Sequence, residues 1–403
     1  MSTVVLSVYK VANFPGGGGH FWVYMQYAHG LRRLGCDVYW LEQLRPVADA
    51  EEEARLRATL LARMRAFGLE GKTLLYTADP NAGVRFIGCT ETQARALLGR
   101  ADVLFNFHYA IRPELLAWAR RSALVDIDPG LLQFWMSTDQ LTVPPHDRYI
   151  STGETVGTPA ARFPDCGLRW TRIRPPVCLD LWPPAYDIHA ATYTTVSGWS
   201  SASWLKVTEH GKTTLRDNTK RVSFLEYLDL PRRSGRPLEL ALYLLDRDPA
   251  SQKRLKQVEQ DAQDRALLEH HGWRVRDSRE VAGSPEAYRT YVQGSRGEFS
   301  CAKPSCMAFQ NAWVSDRSLC YLASGKPVVV QHTGPSDYLP NGEGMFRFNS
   351  LDEAAAAFAV IDADYQRHCR AARDIAETYF DARRVLTTAL NGALGPEPAA
   401  VAT

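Results

Sequence analysis

The sequence predicts an α/β protein with two doubly wound halves, each a mostly parallel sheet covered by helices. Three observations support this prediction: short apolar strands alternate with helices in both halves, a glycine-rich loop follows the first strand, and prolines crowd between residues 143 and 184. At 403 residues the chain is too long for one ordinary core, and 45% apolar with 23% charged residues is typical of a water-soluble globular protein.

The first half opens with a strand, a glycine loop, a helix and a second strand, an order that implies parallel pairing and a right-handed crossover. Apolar spacing places these elements at 4–9, 15–20, 21–34 and 37–41, with Gly35 at the helix end. Further helices are predicted at 51–67, 91–98 and 113–121, and further strands at 73–76, 103–107 and 123–127.

The proline-rich segment 143–184 is predicted to be the loop-rich end of the first half and a linker. The pattern then restarts, with strands predicted at 192–196, 238–245, 273–275, 298–301 and 327–331, and helices at 250–271, 284–294, 316–324 and, with a break near 379, 351–390. We therefore expect three parts: residues 1–184, residues 185–378, and a C-terminal helix with its tail at 379–403.

Composition excludes several classes of function. A net charge of +2 gives no case for bulk binding to nucleic acid, and short cationic runs such as Lys220-Arg221 are predicted to be solvated surface. No stretch of eighteen apolar residues occurs, and the first residues lack the pattern of a secretory leader, so we expect neither a membrane span nor a leader. The eight cysteines form no CxxC pair and no zinc-ligand spacing, so we expect reduced thiols in a cytoplasm and no metal site.

The glycine loop and the histidine that ends it are the first candidate site. Gly17, Gly18 and Gly19 could let an anion or an acceptor approach the main chain; the alternative is a tight turn without a ligand. His20 stands at a helix start, where the positive end of the helix favours the neutral ring of a general base; the alternative is a surface cap residue.

Further candidates in the first half follow predicted strands, whose carboxyl ends meet at the ligand crevice of such sheets. Asp126 and Asp128 could orient His20, although Asp128 also begins a good turn sequence. His108 has an equivalent position after its strand. Glu154 lies in a loop that has no structural need for a carboxylate.

The second half carries the candidate donor site. Ser315 or Asp316 can cap a helix, and the amides near Arg317 and Ser318 could hold a diphosphate, helped by the Arg317 guanidinium. Lys303 could add a second cation. The full set of predicted donor-binding residues is Trp199, Ser200, Glu298, Lys303, Ser315, Asp316, Arg317, Ser318, Thr333 and Gly334. Trp199, Trp204 and Trp313 could each stack on a sugar or a base, or pack in the core.

With these residues in view, the chain resembles the GT-B glycosyltransferases. Residues 35–39, Gly-Cys-Asp-Val-Tyr, are similar to a turn of the acceptor domain in that family, and 315–329 match the helix, stop and strand ahead of its donor loop. Residues 295–300 and 315–318 resemble a group of bacterial members whose substrates are largely unassigned. The resemblance covers nearly the whole chain.

The resemblance implies two Rossmann-like domains facing a cleft, with a C-terminal helix that crosses back to the first domain. It also implies transfer of a sugar from a nucleotide-diphosphate sugar to a small-molecule or glycan acceptor. No resident cofactor or metal is expected, and the nucleotide, the sugar, the acceptor and the oligomeric state are left open. Direct displacement would use His20 as base, with the diphosphate held by Ser315–Ser318 and Lys303.

Departures from the family leave other functions open. Cys320 and Ala312 stand where retaining members carry glutamates, which favours an inverting reaction. A retaining transferase or a nucleotide-sugar 2-epimerase is the first alternative, with Glu298 and Asp337 as acidic candidates. A non-catalytic protein that binds sugar nucleotides is the second.

Overall fold

The structure is a computed structural model that describes residues 1–47, 49–79, 83–199, 204–209, 212–245 and 255–396. The chain forms two compact units. The first contains Met1–Pro15, His20–Cys178 and Asp381–Thr403, and the second contains Gly16–Gly19 and Leu179–Phe380. Apart from Gly16–Gly19, the second unit begins at Leu179, where the sequence predicted 185, and the chain returns to the first unit at Asp381, where it predicted 379.

The first unit is built on an eight-stranded sheet in the order β4-β3-β2-β1-β5-β6-β7-β8, in which only the β3–β4 pair is antiparallel. Its strands are β1 (Thr3–Val8), β2 (Asp37–Gln43), β3 (Thr73–Asp79), β4 (Gly83–Ile87), β5 (Val103–Asn106), β6 (Ser122–Asp126), β7 (Arg148–Ser151) and β8 (Trp170–Arg172). Its first helices are α1 (Gly18–Arg33), α2 (Ala50–Ala66), α3 (Glu91–Arg100), α4 (Pro113–Trp118) and α5 (Leu131–Ser137).

The second unit is built on a parallel six-stranded sheet in the order β13-β12-β9-β14-β15-β16, and an antiparallel hairpin, β10–β11, leaves it after β9. The strands are β9 (Tyr193–Gly198), β10 (Trp204–Glu209), β11 (Lys212–Asp217), β12 (Leu238–Tyr243), β13 (Arg274–Asp277), β14 (Gly297–Ser300), β15 (Val328–Gln331) and β16 (Met345–Phe348).

The helices of the second unit lie between these strands and after them. They are α6 (Lys220–Leu225), α7 (Leu230–Ser234), α8 (Leu255–His270), α9 (Ser278–Ala282), α10 (Pro285–Gln293), α11 (Pro304–Phe309), α12 (Asp316–Ala323), α13 (Leu351–Ala363) and α14 (Tyr365–Ile375). A π-helical turn, Ala376–Phe380, separates them from α15 (Ala382–Leu394), which belongs to the first unit.

Apolar strands and capped helices explain these elements. The buried run of β1 is enclosed on both faces, as expected for a central parallel strand. In the second unit, Tyr193, Phe299 and Phe358 meet in one core, with centroids of Tyr193 and Phe358 4.5 Å apart. The side chain of Ser315 accepts a hydrogen bond from the Arg317 amide and so caps α12, as the sequence predicted.

The structure corrects the prediction for the proline-rich segment. Within 143–184, β7 and β8 extend the first sheet by two strands, and β8 forms its edge, where flanking prolines are tolerated. The strand β4, the hairpin β10–β11 and the short helices α5, α6, α7, α9 and α11 were not predicted either. None of the described helices is long and apolar enough to cross a membrane.

Candidate functional site

In each parallel sheet the carboxyl ends of the strands share one edge, and the crossover helices begin there. In the second unit, this edge lies after β9, β14 and β15, and α6 and α12 start at it. In the first unit, it lies after β1, β2, β5, β6 and β7. The candidate residues gather at these two edges, which we describe separately.

Lys220 is the cation at the edge of the second unit that sequence reasoning missed. It is the first residue of α6, half-buried, and its ammonium lies 5.7 Å from the centroid of the Trp313 ring. Burial, and then the charge of Arg317, lower the pKa of Lys220 to about 7, with Lys303 adding to the effect and Glu298 opposing it. The prediction of a solvated Lys220-Arg221 run is therefore wrong, since Arg221 also pairs with buried Asp264.

Arg317 is buried rather than exposed in the first turn of α12. Its Nε donates to Glu298 Oε1 at 2.6 Å, its Nη1 donates to the Val196 carbonyl at 2.9 Å, and its Nη2 donates to Ser300 Oγ. The ion pair joins α12 to β9 and β14 beneath the edge. Direct contact of this guanidinium with a diphosphate stays a prediction; the observed bonds give Arg317 a structural role and place a positive charge near Lys220.

The loops around Trp313 are held in uncommon backbone conformations. Gln310 and Ala312 have φ values of 51° and 55°, in the left-handed region that residues other than glycine rarely adopt. Gly334 has a φ of 131°, and a Cβ there would lie 2.5 Å from the Gln310 carbonyl oxygen. Thr333 Oγ1 donates to the Trp313 carbonyl at 2.7 Å, so these two loops support each other.

The predicted tryptophans divide into a core residue and an edge residue. Trp199 is fully buried, and its Nε1 donates to Asp264 at 2.9 Å, so its ring has no free face for a sugar; the structure corrects this prediction. Trp313 is half-buried and faces Lys220. Ser200 lies outside the described residues, as does the side chain of Trp204.

The other predicted donor residues lie close to α11 and α12. Lys303 precedes α11 and is half-buried, and Asp316 is half-buried at the start of α12. Ser318 is 1% exposed, so its side chain packs inside the unit. Of the two acidic candidates for an epimerase, Glu298 is buried against Arg317 and Asp337 is exposed.

At the edge of the first unit, His20 is fixed by the strand before it. Its Nε2 lies 2.7 Å from the Tyr9 carbonyl oxygen, and its ring stands edge-on to Tyr24. Because a carbonyl oxygen only accepts, Nε2 carries the proton and Nδ1 of the neutral ring holds the lone pair. Burial lowers the pKa of His20; the Tyr9 hydrogen bond opposes this, and the charge of Lys10 adds to it.

Asp126 does not orient His20, contrary to the expectation. Its carboxylate accepts hydrogen bonds from Ser151 Oγ at 2.7 Å, Gln133 Nε2 at 2.8 Å and the Asp128 amide at 3.0 Å. Burial raises the pKa of Asp126 to about 6. It therefore ties β6, α5 and β7 together. The roles predicted for Asp128 and Glu154, both half-buried in loops at this edge, stay predictions.

The ring of His108 packs against that of Tyr9 at a tilt, on the same edge. The ring centroids are 5.0 Å apart, and the Arg45 guanidinium lies over the Tyr9 ring at 4.9 Å. The Asn106 side chain binds the main chain of His108 and lies 3.0 Å from His146 Nε2. Burial, and then the charge of Arg45, lower the pKa of His108 to about 4, so the ring is neutral at pH 7.

The glycine loop has a packing role that the sequence did not predict. None of the four glycines has a φ in the left-handed region. A Cβ at Gly18 would lie 2.2 Å from the Ser284 carbonyl oxygen, and one at Gly19 would lie 2.8 Å from the Tyr288 ring. Gly17 and Gly18 are buried. At Gly18 and Gly19, the space that a side chain would need is therefore occupied by other protein atoms. Contact between the loop and a ligand stays a prediction.

A buried carboxyl group, Glu42, supports the loop after β1. Glu42 is fully buried and accepts hydrogen bonds from the Ala12 amide at 2.5 Å and from Trp40 Nε1 at 2.9 Å. Burial raises the pKa of Glu42 to about 7. Within the described part of the chain, no three His, Cys, Asp or Glu side chains are placed to hold a metal ion together.

The comparisons with solved structures agree with the two-unit architecture. HepE from Anabaena, solved with UDP and glucose, has a TM-score of 0.54 and 12% identity over 97% of this chain and 100% of that one. The pneumococcal O-GlcNAc transferase GtfA, solved with UDP and GlcNAc, has a TM-score of 0.55 and 10% identity over 98% and 99%. The chain has the GT-B fold.

A third GT-B structure with similar coverage is the sucrose-phosphate synthase from Thermosynechococcus elongatus. Its TM-score is 0.51 at 10% identity, over 96% of this chain and 97% of that one. No protein-family model matches the chain, and no curated protein matches it. The GT-B fold with two Rossmann-like units is thus confirmed, and the C-terminal helix α15 belongs to the first unit.

Proposed function

We propose that the protein is a glycosyltransferase that moves a sugar from a nucleotide-diphosphate sugar to an acceptor hydroxyl or amine. The observation that carries this proposal is the cation group of the second unit. Lys220 has no carboxylate bonded to it among the described residues, and it stands beside Trp313, Lys303 and Arg317 at the carboxyl edge. A lysine whose pKa is lowered by burial and by neighbouring cations is one whose charged form a bound anion stabilises.

The proposed donor therefore binds with its diphosphate at Lys220, Lys303 and the first turn of α12. The helix start offers backbone amides and the positive end of the helix dipole, and the lysines offer point charges. These charges would stabilise the diphosphate as a bound metal ion does in other transferases, so we propose a transfer that needs no metal ion. The structural relatives solved with UDP support a nucleotide donor.

For the chemical step, we propose inversion at the anomeric carbon with His20 as base. Nδ1 of the neutral ring takes the proton of the acceptor group while its oxygen or nitrogen bonds to the anomeric carbon. The bond to the diphosphate oxygen breaks, and the leaving diphosphate keeps the electron pair. The cations of the second unit stabilise that charge as it develops.

The proposal is tested first by nucleotide binding. We expect one of UDP, GDP, dTDP or ADP to raise the melting temperature of the protein, since a ligand at a hundred times its Kd adds about 2.7 kcal/mol of stability. Lys220→Met should weaken that nucleotide at least about tenfold, because it removes a charge-assisted contact to phosphate. Lys256→Met, an exposed lysine of α8, is the matched control and should bind as the original protein does.

The lowered pKa of Lys220 adds a second readout to this test. At pH 8 the free protein holds Lys220 mostly neutral, and a bound diphosphate favours the ammonium form. Binding should therefore take up a proton, measured by calorimetry in buffers of different ionisation enthalpy, and Lys220→Met should abolish the uptake. A protein whose melting temperature responds to none of the four nucleotides would contradict the proposed function.

A further inference from the structure

A cationic patch at the edge of the first unit is used by no step of the proposed reaction. The Tyr9 ring contacts both Arg45 and His108, with the guanidinium carbon 4.9 Å from the ring centroid and the imidazole centroid 5.0 Å from it. Arg45 Nη2 donates to the Tyr9 hydroxyl at 2.6 Å. Lys10 follows Tyr9, and its charge acts on His20. We call Tyr9, Lys10, Arg45 and His108 the Tyr9 patch.

Two features of the Tyr9 patch indicate that it is built to receive a ligand. Lys10 has a φ of 65°, a left-handed conformation that is unfavourable for a residue with a side chain and that is often found at functional sites. His108 is 5% exposed, and its Nδ1 is buried with no hydrogen-bond partner among the described residues. A buried ring nitrogen without a partner costs free energy that a hydrogen bond to a bound ligand would recover.

The charges of the patch decide what kind of ligand fits. No acid is paired with Arg45 among the described residues: its main chain bonds to the Asn13 side chain, and its guanidinium bonds only to the Tyr9 hydroxyl. The nearby Glu42 is occupied by the Trp40 and Ala12 donors. The exposed cations Lys10 and Arg45 therefore lie near two neutral histidines, His20 and His108. A neutral sugar would leave the two positive charges unbalanced, and an anion would stabilise them.

We infer that the acceptor carries an anionic group, a carboxylate or a phosphate, which binds to Arg45 and Lys10. The inference rests on the proposed function for the statement that this ligand is the acceptor. The planar fork of Arg45 suits two oxygens of either group. Tyr9 holds the guanidinium in place through its hydroxyl and its ring face. The acceptor group to be glycosylated then lies on the side of His20, whose ring is oriented by the carbonyl oxygen of Tyr9.

The test uses the full chain and histidine NMR. The probes are glucose 6-phosphate, glucuronate and glucose, added while the imidazole carbon resonances of His108 and His20 are followed. We expect the two anions to bind and shift these resonances, with glucose at least about tenfold weaker; the tighter anion identifies phosphate or carboxylate. Arg45→Gln should weaken the anions at least about tenfold, and Arg45→Lys should weaken them less, because it keeps the charge and loses the fork.

The control variant is Arg55→Gln, an exposed arginine of α2 in the same unit, which should leave anion binding unchanged. Glucose that binds as tightly as the two anions, or Arg45→Gln that binds them as the original protein does, overturns the inference. Anion binding that depends on Arg45 in a protein that responds to no nucleotide leaves the anion site standing and overturns only the transferase.

Discussion

At the scale of single residues, the proposed function of His20 as a base depends on which of its ring nitrogens is free. The Tyr9 carbonyl oxygen fixes the proton on Nε2, a task that a carboxylate performs in many catalytic histidines. A carbonyl orients the ring without adding a negative charge. Burial then keeps the pKa of His20 below its usual value, which favours the neutral ring that the proposed base function needs.

We therefore expect His20→Gln to lower kcat by about 10²–10⁴-fold, the usual contribution of a general base. The KM for the donor should change little, since the proposed donor site belongs to the second unit. Turnover is measured with the sugar of the nucleotide that binds, and the anomeric configuration of the product by proton NMR. His29→Gln, on the same helix, is the control. A retained product configuration, or full turnover by His20→Gln, would exclude the assigned role.

Sequence reasoning located the candidate residues better than it located their partners. His20, His108 and Arg317 were placed at strand ends or helix starts, because periodicity and capping residues mark those positions. That Arg317 turns inward to Glu298 depends on which strands lie side by side, and no local pattern contains that information. Lys220 was missed because α6 is six residues long, too short for a periodic signal.

At the scale of elements, the long helices and central strands were predicted within a few residues, because each has a clear apolar face. The short strands β7 and β8 were not, since four and three residues among prolines give no alternation to count. The break predicted near 379 coincides with the π-helical turn, Ala376–Phe380. The elements that the sequence could not predict are short ones, which form because adjacent strands and helices pack against them.

The docking of α15 on the first unit depends on a glycine in α1. A Cβ at Gly30 would lie 2.5 Å from Leu386 Cδ1 and 2.9 Å from Ala382 Cβ, both on α15. We expect Gly30→Ala to destabilise the unit by about 1–3 kcal/mol, the usual cost of overpacking. Measurement is by urea unfolding and by hydrogen exchange of the α15 amides, which should speed up.

The matched control is a second helix glycine. Gly99 lies in α3, and a Cβ there would meet only the Trp118 carbonyl oxygen, at 3.8 Å. Gly99→Ala should therefore raise stability by about 0.5–1 kcal/mol through the helix preference of alanine. Equal stability of the two alanine variants would mean that Gly30 does not set the approach of α15.

At the scale of the whole molecule, buried groups of opposite kind offset each other in their dependence on pH. Burial lowers the pKa of both His108 and His146 to about 4, so the unfolded chain binds more protons below pH 6.5 and stability falls as pH falls from 6.5 to 4. Burial raises the pKa of Asp126 to about 6 and of Glu42 to about 7, so in that range the folded protein binds more protons and stability rises as pH falls.

Removing one member of this balance should expose the other. Glu42→Gln removes a group that takes up a proton on folding between its unfolded pKa, near 4.5, and about 7. In that window the slope of unfolding free energy against pH should become more positive by about 1.4 kcal/mol per pH unit, so the variant loses stability on acidification. The new glutamine amide also faces the Ala12 and Trp40 donors and lowers the free energy of unfolding by the same amount at every pH. That loss does not change the slope.

The measurement is urea unfolding between pH 4.5 and 7, followed through hydrogen exchange of the β1, β2 and β5 amides, which report on the first unit. Glu91→Gln, an exposed carboxylate in the first turn of α3, is the control and should keep the original slope. An unchanged slope in Glu42→Gln would mean that this carboxyl group is already ionised in the folded protein near pH 5. Since Ala12 and Trp40 would then hold a buried charge under the loop after β1, that result would also assign a negative potential to the edge where His20 and the Tyr9 patch lie.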